Sequence, residues 1–314
     1  MKLVIQVPCL NEEKTLPLVL KSIPKKIDGI RSIEILIIDD GSTDKTVEVA
    51  KKFGVKNFVY HPQRLGLARS FRDGVHRALE MGADIIVNTD GDNQYPQQDI
   101  GKLVRPIIEG KAQIVVADRQ TDKIKHFSFG KKFLQKVGSK AVNIAAGTDL
   151  PDAASGFRAY SKEAILRLNI VTTFSYAMET IIQAGNKGIP ITSIPITTNP
   201  KLRESRLFKS NYEHVKKSSI AIVRAYLMYK PYIIFNGLGI TFLVIGVLPF
   251  IRYIVLLNHK HPGNHIQSLI FGSVMLIASF ISFGLGIIAD LVRINRILQE
   301  ESLELIKHSK FKIK

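Results

Sequence analysis

The sequence predicts an α/β domain with a mixed, mostly parallel sheet, followed by two helices that cross a membrane. Three observations support this. Strand-like apolar runs alternate with helical patterns over residues 1 to about 120, acidic motifs follow several of these runs, and two long uncharged stretches lie near the C-terminus. This alternation is typical of a parallel sheet with helices on both faces, because a crossover helix joins successive parallel strands.

The predicted strands are short apolar runs with helical patterns between them. The run Ile35–Ile38 is apolar on consecutive residues, as expected for a strand that is buried on both faces. The predicted strands are Leu3–Val7, Ile33–Ile38, Asn57–Tyr60, Ala83–Thr89, Gln113–Ala117 and Ile189–Ile196. The predicted helices are Glu12–Ser22, Asp44–Phe53, Leu67–Met81, Gln98–Glu109, Ser161–Leu168 and Ala177–Lys187.

Two segments combine basic and apolar residues in a pattern typical of interfacial helices that lie on a membrane surface. Residues 121–147 interleave lysine with phenylalanine, leucine and valine, and residues 213–231 form a juxtamembrane amphipathic segment ahead of the first uncharged stretch. An ordinary solvated helix packed on the domain explains residues 121–147 equally well. Both interpretations stay open at this point.

Two uncharged stretches, residues 232–251 and 266–289, are long enough to cross the core of a bilayer, which takes about 20 apolar residues. The predicted spans are about 232–257 and 266–290, within a two-helix anchor at 232–291. Their glycine and serine residues suit close contact between helices in lipid. Basic residues are denser on the outer flanks than in the hairpin between the spans. This bias predicts a cytoplasmic catalytic domain and a cytoplasmic basic tail at 292–314.

The composition limits the classes of function. The chain has 314 residues, of which 46% are hydrophobic, and a formal net charge of +17. That charge favours an anionic partner, such as a membrane surface or a phosphorylated substrate, and the absence of a known nucleic-acid-binding module argues against nucleic acid. The single cysteine, Cys9, excludes an intramolecular disulfide. No apolar segment precedes the first strand, so no signal peptide is expected.

Asp90 and Asp92 form a D-x-D triplet directly after the fourth predicted strand. Open α/β sheets bind ligands beyond the carboxyl ends of their strands. Carboxylate oxygens suit a hard divalent cation, and such a cation in turn holds a diphosphate. The triplet therefore predicts a Mg²⁺ or Mn²⁺ site, although short acidic triplets without metal are common in loops.

Two further carboxylates, Asp39 and Asp40, lie at the end of the second predicted strand, ahead of Gly41, which supplies a tight turn. Adjacent carboxylates are costly to bury there unless a ligand requires them. A nucleotide base or ribose is a suitable partner because it offers N–H and hydroxyl donors. Capping of the next helix explains Ser42 and Asp44 without any ligand.

Taken in order, these motifs resemble those of inverting family-2 glycosyltransferases with the GT-A fold, a Rossmann-like architecture. The closest likeness is to the dolichyl-phosphate mannose synthase-like branch, which makes polyprenyl-phosphate sugars. It covers about residues 1–210, and the two spans resemble the membrane anchor of bacterial and archaeal members. The motifs are V-P-C-L-N-E-E at 7–13, D-D-G-S-T-D at 39–44, G-L-A at 66–68, D-G-D-N-Q-Y-P at 90–96, V-V-A-D-R at 115–119 and D-A-A-S-G-F-R at 152–158.

The resemblance implies roles for individual residues. Asp90 and Asp92 are expected to bind the metal, and the expected catalytic residues are Asp92, Asp152 and Arg119. The nucleotide-sugar is assigned to Pro8, Asn11, Glu12, Asp39, Asp40, Asp90 and Gln94. The acceptor phosphate is assigned to Arg119, Lys131, Lys132, Ser155, Arg158, Arg203 and Arg206.

Some residues depart from the family pattern. Gly91 stands where alanine is usual, Lys131 and Lys132 stand where arginine is more frequent, and Glu204 stands where glycine usually precedes the serine. The chemistry of the acceptor bears on the role of Asp152. A lipid phosphate is already largely ionised at neutral pH, because its second pKa is about 6. We therefore expect Asp152 to position the acceptor more than to deprotonate it.

The sequence thus predicts a metal-dependent enzyme that moves one sugar, with inversion, from a nucleotide-sugar to a polyprenyl (dolichyl or undecaprenyl) phosphate. GDP-mannose and UDP-glucose are the leading donors, and the catalytic domain at 1–212 is expected on the cytoplasmic face of the cell membrane. The alternatives are transfer to another lipid or a polysaccharide, and a non-catalytic membrane scaffold. The chain has no tryptophan and so lacks the Q-x-x-R-W motif usual in processive synthases. Membrane lipids are expected partners, and the glycine-bearing faces of the spans suit a homo-oligomer.

Overall fold

A computed structural model describes residues 1–121, 129–171, 176–200, 220, 227–258 and 265–311. The chain divides into two compact units. The first unit comprises Met1–Ile222 and Leu303–Lys314, and the second comprises Val223–Ser302. Arg203, Arg206 and most of the predicted juxtamembrane segment lie outside the described residues.

The first unit is built on one seven-stranded sheet. Its strands are β1 (Lys2–Cys9), β2 (Ser32–Asp39), β3 (Asn57–Tyr60), β4 (Ile85–Asn88), β5 (Ile114–Asp118), β6 (Arg158–Ser161) and β7 (Ile191–Pro195). Their order across the sheet is β3-β2-β1-β4-β6-β5-β7. All neighbours run parallel except the pairs that β6 forms with β4 and β5. The predicted mixed, mostly parallel sheet is confirmed.

Helices cover both faces of this sheet, as predicted. The helices of the first unit are α1 (Leu16–Ser22), α2 (Thr46–Lys52), α3 (Leu67–Glu80), α4 (Ile100–Ile108), α5 (Phe129–Ala146), α6 (Lys162–Arg167) and α7 (Tyr176–Asn186). Two longer helices follow, α8 (Pro231–Asn258) and α9 (Ile266–Phe311). Residues of α1 and α4 join the core cluster on the face of β1 that carries Leu3 and Ile5. On the opposite face α3 packs so closely that a Cβ at Gly74 would lie 2.6 Å from Oε1 of Gln6.

The antiparallel strand β6 was not predicted from the sequence. It has only four residues, and its first three, Arg158, Ala159 and Tyr160, are all fully buried. A strand is recognised in a sequence either by a continuous apolar run or by alternating polar and apolar residues. With a buried arginine at its start, β6 shows neither pattern. The insertion of β6 between β4 and β5 brings the motif at 152–158 beside the end of β4.

The direction in which the sheet grows reverses at β1. From β1 the chain adds β2 and β3 on one side, whereas β4 lies on the other side. In sheets of this kind, the loops at the carboxyl ends of the strands on either side of such a reversal form the crevice that binds ligands. The motif at 7–13 ends β1 and the acidic triplet follows β4. Both motifs therefore border this crevice.

The second unit contains α8 and most of α9, the two helices in the described part of the chain that are long and apolar enough to cross a membrane. Glycines let these helices approach closely. A Cβ at Gly246 would lie 3.0 Å from the carbonyl oxygen of Gly272. The hydroxyl of Ser279 donates to the carbonyl of Gly239 at 2.8 Å. These contacts are of the kind expected for a helix pair in lipid, where small residues permit close packing.

The helix α9 continues through most of the segment expected to be a basic tail. Its last turns belong to the first unit. The ammonium group of Lys307 donates to the carbonyl of Leu168 at 2.8 Å, and that of Lys162 donates to the carbonyl of Phe311 at 2.8 Å. Phe311 is buried. The end of α9 is thus an integral part of the first unit.

The described part of the predicted amphipathic segment 121–147 is largely α5. Lys136 and Lys140 are exposed together with Val137 and Ile144, whereas Val142 is buried. Basic and apolar side chains therefore share the exposed side of this helix, and its location on a membrane surface stays a prediction.

Candidate active site

The acidic triplet lies in a loop that packs directly on the end of β1. Gly91 is buried, and a Cβ at this position would lie 3.1 Å from Sγ of Cys9, 3.2 Å from Cγ of Glu12 and 3.5 Å from the carbonyl oxygen of Pro8. Glycine thus lets the loop approach β1 without displacing these neighbours. Pro8 and Glu12, which are predicted to bind the nucleotide, therefore lie next to the acidic triplet that contains Asp90, a predicted metal ligand.

The carboxylate of Asp92 organises its own loop. Its Oδ1 accepts a hydrogen bond from the backbone N–H of Gln94 at 3.1 Å, and its Oδ2 accepts one from Nε2 of Gln94 at 2.8 Å. Between them Asn93 has a left-handed backbone, with φ of 61°. Strained conformations of this kind persist only where the surroundings enforce them, and they cluster at functional sites.

The end of the loop is held from the far edge of the sheet by Asn199, which follows β7. Its backbone N–H donates to the carbonyl of Gln94 at 2.9 Å, and its Nδ2 donates to the carbonyl of Asn93 at 2.9 Å. Sequence reasoning missed Asn199 as a site residue. No local pattern marks it, because its partners lie more than a hundred positions earlier in the chain.

Side chains of the motifs after β1 and β2 interlock on the other side of the crevice. Oδ1 of Asn11 accepts from the N–H of Thr43 at 2.7 Å, and Oγ of Ser42 accepts from the N–H of Asn11 at 2.9 Å. Asp39 accepts from the N–H of Ser42 at 3.2 Å. Ser42 therefore joins the two motifs, while Asp44 accepts from the first N–H of α2, at 2.9 Å, as expected for a helix start.

Asp40 is placed differently from Asp39. Its Oδ1 accepts from the N–H of Leu65 at 2.8 Å, its Oδ2 accepts from the N–H of Gly66 at 2.9 Å, and His61 contacts Oδ1 at 2.9 Å. Both oxygens of this buried carboxylate thus hold the loop that leads into α3. This placement favours a structural role for Asp40 over the nucleotide contact predicted from the sequence.

We therefore expect Asp40→Asn to lower the free energy of unfolding by about 1–3 kcal/mol, the usual range for losing hydrogen bonds to a charged group. An amide keeps one acceptor oxygen but turns an NH₂ group towards a backbone N–H. Chemical denaturation measures the loss, and Asp28→Asn, at an exposed position, is the control. Unchanged stability together with lost nucleotide binding would instead assign Asp40 to the ligand.

A buried ion pair lies beside the crevice. Nε of Arg119 donates to Oδ2 of Asp152 at 2.6 Å and its Nη2 donates to Oδ1 at 2.9 Å, while the backbone N–H of Arg119 is 3.3 Å from Oδ2. The side chain of Asp152 is 3% exposed and that of Arg119 is 19% exposed. Burial alone would raise the pKa of the Asp152 carboxyl, but the charge and hydrogen bonds of Arg119 outweigh it and hold this pKa below its ordinary value.

Tyr95 lies among the charged residues of the site. Burial raises the pKa of Tyr95 to about 12, with Arg119 acting to lower it and Asp90 and Asp152 acting to raise it. Burial acts to lower the pKa of Arg119, but Asp152, Tyr95 and Asp90 outweigh it, and that pKa is raised. Asp90, Arg119 and Asp152 therefore all act on the pKa of Tyr95, although Asp90 and Asp152 are far apart in the sequence.

Two residues assigned to the acceptor phosphate lie away from the crevice surface. Arg158 is fully buried and donates to the carbonyls of Ser155 at 2.7 Å, Ala177 at 2.6 Å and Ala153 at 2.9 Å, and to the hydroxyl of Thr180 at 2.9 Å. Ser155 is also fully buried. This placement favours a structural role for Arg158, which braces the turn that carries Asp152, over the predicted phosphate contact.

The remaining predicted phosphate residues lie on α5 or beyond β7. Lys132 lies on α5 and is half-buried. The side chain of Lys131 and the residues Arg203 and Arg206 are outside the described part of the chain. Their assignment stays a prediction.

The chemistry of the donor set fits a hard divalent cation. Two carboxylates, Asp90 and Asp92, border the crevice at the switch point of the sheet. Mg²⁺ is usually held by one or two carboxylates together with the phosphates of its substrate. The hydrogen bonds from Gln94 orient Asp92, as residues behind a metal ligand commonly do.

Known proteins are similar to this chain in sequence and in fold. The glycosyl transferase family 2 profile matches residues 4–168. An uncharacterised protein of Methanocaldococcus jannaschii is 31% identical over 62% of this chain and 80% of its own length. The UDP-N-acetylglucosamine–dolichyl-phosphate N-acetylglucosaminyltransferase of Methanococcus voltae is 28% identical over 61% of this chain and 83% of its own.

A solved structure extends the likeness to the fold. The crystal structure of glucosyl-3-phosphoglycerate synthase from Mycobacterium tuberculosis, in complex with Mn²⁺, UDP and glucosyl-3-phosphoglycerate, superposes with a TM-score of 0.55 and 21% identity. The match covers 72% of this chain and 78% of that one. Because the family profile matches more than half of the sequence and its motifs border the crevice of this sheet, the chain belongs to glycosyl transferase family 2.

Proposed function

We propose that this glycosyltransferase moves a single sugar from a nucleotide-sugar to a polyprenyl phosphate at a membrane surface. The observation that carries the proposal is that the loop of Asp90 and Asp92 meets the turn that carries the Arg119–Asp152 ion pair. A Cβ at Gly156, in that turn, would lie 3.7 Å from Oδ2 of Asp90, and the N–H of Gly156 donates to Tyr95 at 3.1 Å. Membrane-length helices in the same chain, and a relative named for transfer to dolichyl phosphate, support a lipid acceptor.

The donor side of the crevice is formed by the interlocked motifs after β1 and β2. Asn11, Ser42 and Thr43 hold the two motifs together, and Asp39 keeps a carboxylate at the end of β2. Such a wall offers acceptors for the N–H and hydroxyl groups of a base and ribose. GDP-mannose and UDP-glucose remain the leading donors, and the Methanococcus voltae relative adds UDP-N-acetylglucosamine.

Asp90 and Asp92 would hold Mg²⁺ or Mn²⁺ together with the donor diphosphate. When bound, the cation neutralises the charge that develops on the leaving nucleoside diphosphate. Gln94 fixes the orientation of Asp92, and Asn199 fixes the backbone on which Gln94 lies. The chain thus holds the leaving group in one orientation before the reaction, which is where positioning lowers a barrier.

In the proposed reaction an oxygen of the acceptor phosphate forms a bond to the anomeric carbon of the sugar. The bond from that carbon to the donor diphosphate breaks, and the nucleoside diphosphate leaves with the bonding electrons. One displacement of this kind inverts the configuration. The acceptor is already ionised, and Asp152 is committed to Arg119, so Asp152 orients Arg119 and does not remove a proton.

The exposed side of α5, with Lys136, Lys140, Val137 and Ile144, suits an anionic membrane surface, where lysines meet lipid phosphates and apolar side chains enter the interface. We place the first unit on the cytoplasmic side, where nucleotide-sugars are made and where the basic flanks of the two spans direct it.

A donor screen tests the function. The protein, purified in detergent with Mn²⁺, receives a polyprenyl phosphate and, in separate reactions, labelled GDP-mannose, UDP-glucose or UDP-N-acetylglucosamine. We expect label in an acid-labile lipid with one donor, loss of transfer in EDTA, and recovery when excess Mn²⁺ or Mg²⁺ is added. Label found only in an acid-stable glycolipid would assign a different acceptor. Transfer that is unchanged in EDTA would contradict the metal proposal.

A further inference from the structure

Two tyrosines hold Gly156, one through its backbone N–H and the other through its backbone carbonyl. Its N–H donates to the hydroxyl of Tyr95 at 3.1 Å. Its carbonyl accepts from the hydroxyl of Tyr176 at 3.2 Å and from Nδ2 of Asn88 at 3.0 Å. Asn88 also donates to the hydroxyl of Tyr176 and accepts from Nε2 of Gln6 at 3.0 Å. Side chains therefore hold both peptide groups that flank the Cα of Gly156.

Both tyrosines are themselves fixed by packing. The ring of Tyr95 stacks on Phe157 with centroids 5.1 Å apart, and the ring of Tyr176 stacks on Phe71 at 3.9 Å with an interplanar angle of 5°. Tyr95 is 5% exposed and Tyr176 is 1% exposed. Buried, stacked rings have little freedom to rotate, so their hydroxyl groups hold the N–H and the carbonyl of Gly156 in fixed positions.

Gly156 joins the two halves of the proposed site. A Cβ at this position would lie 3.7 Å from Oδ2 of Asp90, on the metal side. Four positions earlier in the chain, Asp152 forms the bidentate pair with Arg119, on the acceptor side. Tyr95 itself belongs to the loop of the acidic triplet, so its hydrogen bond to Gly156 ties that loop to the turn at 152–156.

We infer that Tyr95 and Tyr176 are positioning residues, which fix the distance between the carboxylate of Asp90 and the Arg119–Asp152 pair by holding the backbone on both sides of Gly156. This inference rests on the proposed function for its catalytic consequence, because those two groups would hold the donor diphosphate and the acceptor phosphate. A misplacement of about 1 Å between reacting groups commonly lowers a rate by a factor of about 100.

The first test removes one hydroxyl at a time. In Tyr95→Phe and Tyr176→Phe we expect kcat for sugar transfer to fall about 10- to 100-fold, with the donor KM within about twofold of wild type. Tyr60→Phe, in the exposed edge strand β3, is the matched control and should keep wild-type kcat. A merely structural role would reduce the fraction of folded protein and leave kcat per nucleotide-binding site unchanged, and that result would overturn the inference.

A double-mutant cycle gives a sharper test. A Cβ at Gly156 would lie 3.2 Å from the hydroxyl oxygen of Tyr176, so Gly156→Ala should displace the backbone at this residue and lower kcat. Tyr176→Phe removes that oxygen and makes room for the methyl group. We expect Gly156→Ala to reduce kcat several-fold in the wild-type background and by less than about twofold in the Tyr176→Phe background. Equal losses in both backgrounds would show that the two positions act independently.

Hydrogen exchange separates this inference from the proposed function, because it needs no acceptor. In Tyr95→Phe we expect faster amide exchange both in residues 90–96 and in residues 152–158, whereas Tyr60→Phe should change neither. Faster exchange in only one of the two segments would contradict the coupling. If the wild-type chain transferred no sugar to a polyprenyl phosphate, the proposed function would fail, and the exchange result would still decide the positioning role.

Discussion

Sugar transfer by Asp92→Ala should fall by a factor of 10² to 10³ or more, about the loss seen when one preorganised electrostatic group is removed from an active site. Asp92 supplies a charge beside the donor diphosphate and also orients Gln94 through both of its oxygens. Because the side chain is only half-buried, the free energy of unfolding should change little. The measurement is the initial rate of transfer as a function of Mn²⁺ concentration.

Asp92→Asn separates the two contributions of this side chain. The amide keeps an oxygen that accepts from the N–H of Gln94 but loses the negative charge. If the charge binds the cation, Asp92→Asn should be nearly as inactive as Asp92→Ala and should need far more Mn²⁺. Gln94→Ala, which removes only the orienting side chain, should lose about tenfold, in the range measured for groups that support metal ligands. Asp28→Ala, at an exposed position, serves as the control.

The same series tests the scaffold alternative. A protein that only keeps the fold would show no transfer with the wild-type sequence and no dependence on Asp92. Wild-type activity in Asp92→Asn would contradict the metal role assigned to this residue.

Breaking the Arg119–Asp152 pair should lower both stability and activity. In Arg119→Met the carboxylate of Asp152 stays buried without its partner, and the removal of one member of a buried pair costs about 3–5 kcal/mol. Transfer should become undetectable, because the charge beside Asp90 is lost as well. Urea denaturation gives the first quantity and the donor assay gives the second.

The double variant Arg119→Met/Asp152→Leu separates stability from function. Replacing both members of a buried ion pair with apolar residues is often neutral or stabilising. We therefore expect the double variant to recover most of the lost stability and none of the lost transfer. Recovery of transfer would show that the pair serves only the fold.

The pKa of Asp152 gives this pair a predictable dependence on pH. The folded-state pKa lies below the ordinary value of about 3.9, so the pair stabilises the fold fully above that value and loses its contribution as the pH falls through the folded pKa. The difference in unfolding free energy between wild type and Asp152→Asn should thus be constant from about pH 5 to 8 and shrink below about pH 4.

The rate profile tests the same assignment. Asp152 is ionised and paired throughout the neutral range, so it should contribute no limb to the dependence of kcat/KM on pH between about pH 5 and 9. A basic limb that disappears in Asp152→Asn would instead identify Asp152 as a general base.

Local patterns in the sequence determined the class of the fold and the motifs of the candidate site. Strand β3 has the predicted bounds, Asn57–Tyr60, and α3 differs from its prediction by one residue. The motifs after β1, β2 and β4 were found because side chains at the carboxyl ends of parallel strands meet at one edge. The two membrane-length helices were found from length and composition alone. Each of these features depends on neighbours within one strand, one turn or one helix.

The tertiary structure decided which of the predicted site residues are committed to hydrogen bonds that hold the fold. Asp39 and Asp40 are adjacent, yet only Asp40 is committed to the backbone of residues 65 and 66. Arg158 is the end of a predicted site motif, yet it is buried in β6. Tyr95 gains its importance from Gly156, which lies 61 positions later in the chain. Whether a polar side chain holds the fold or is available to a ligand depends on which distant segment packs against it. The local pattern of residues does not show which segment that is.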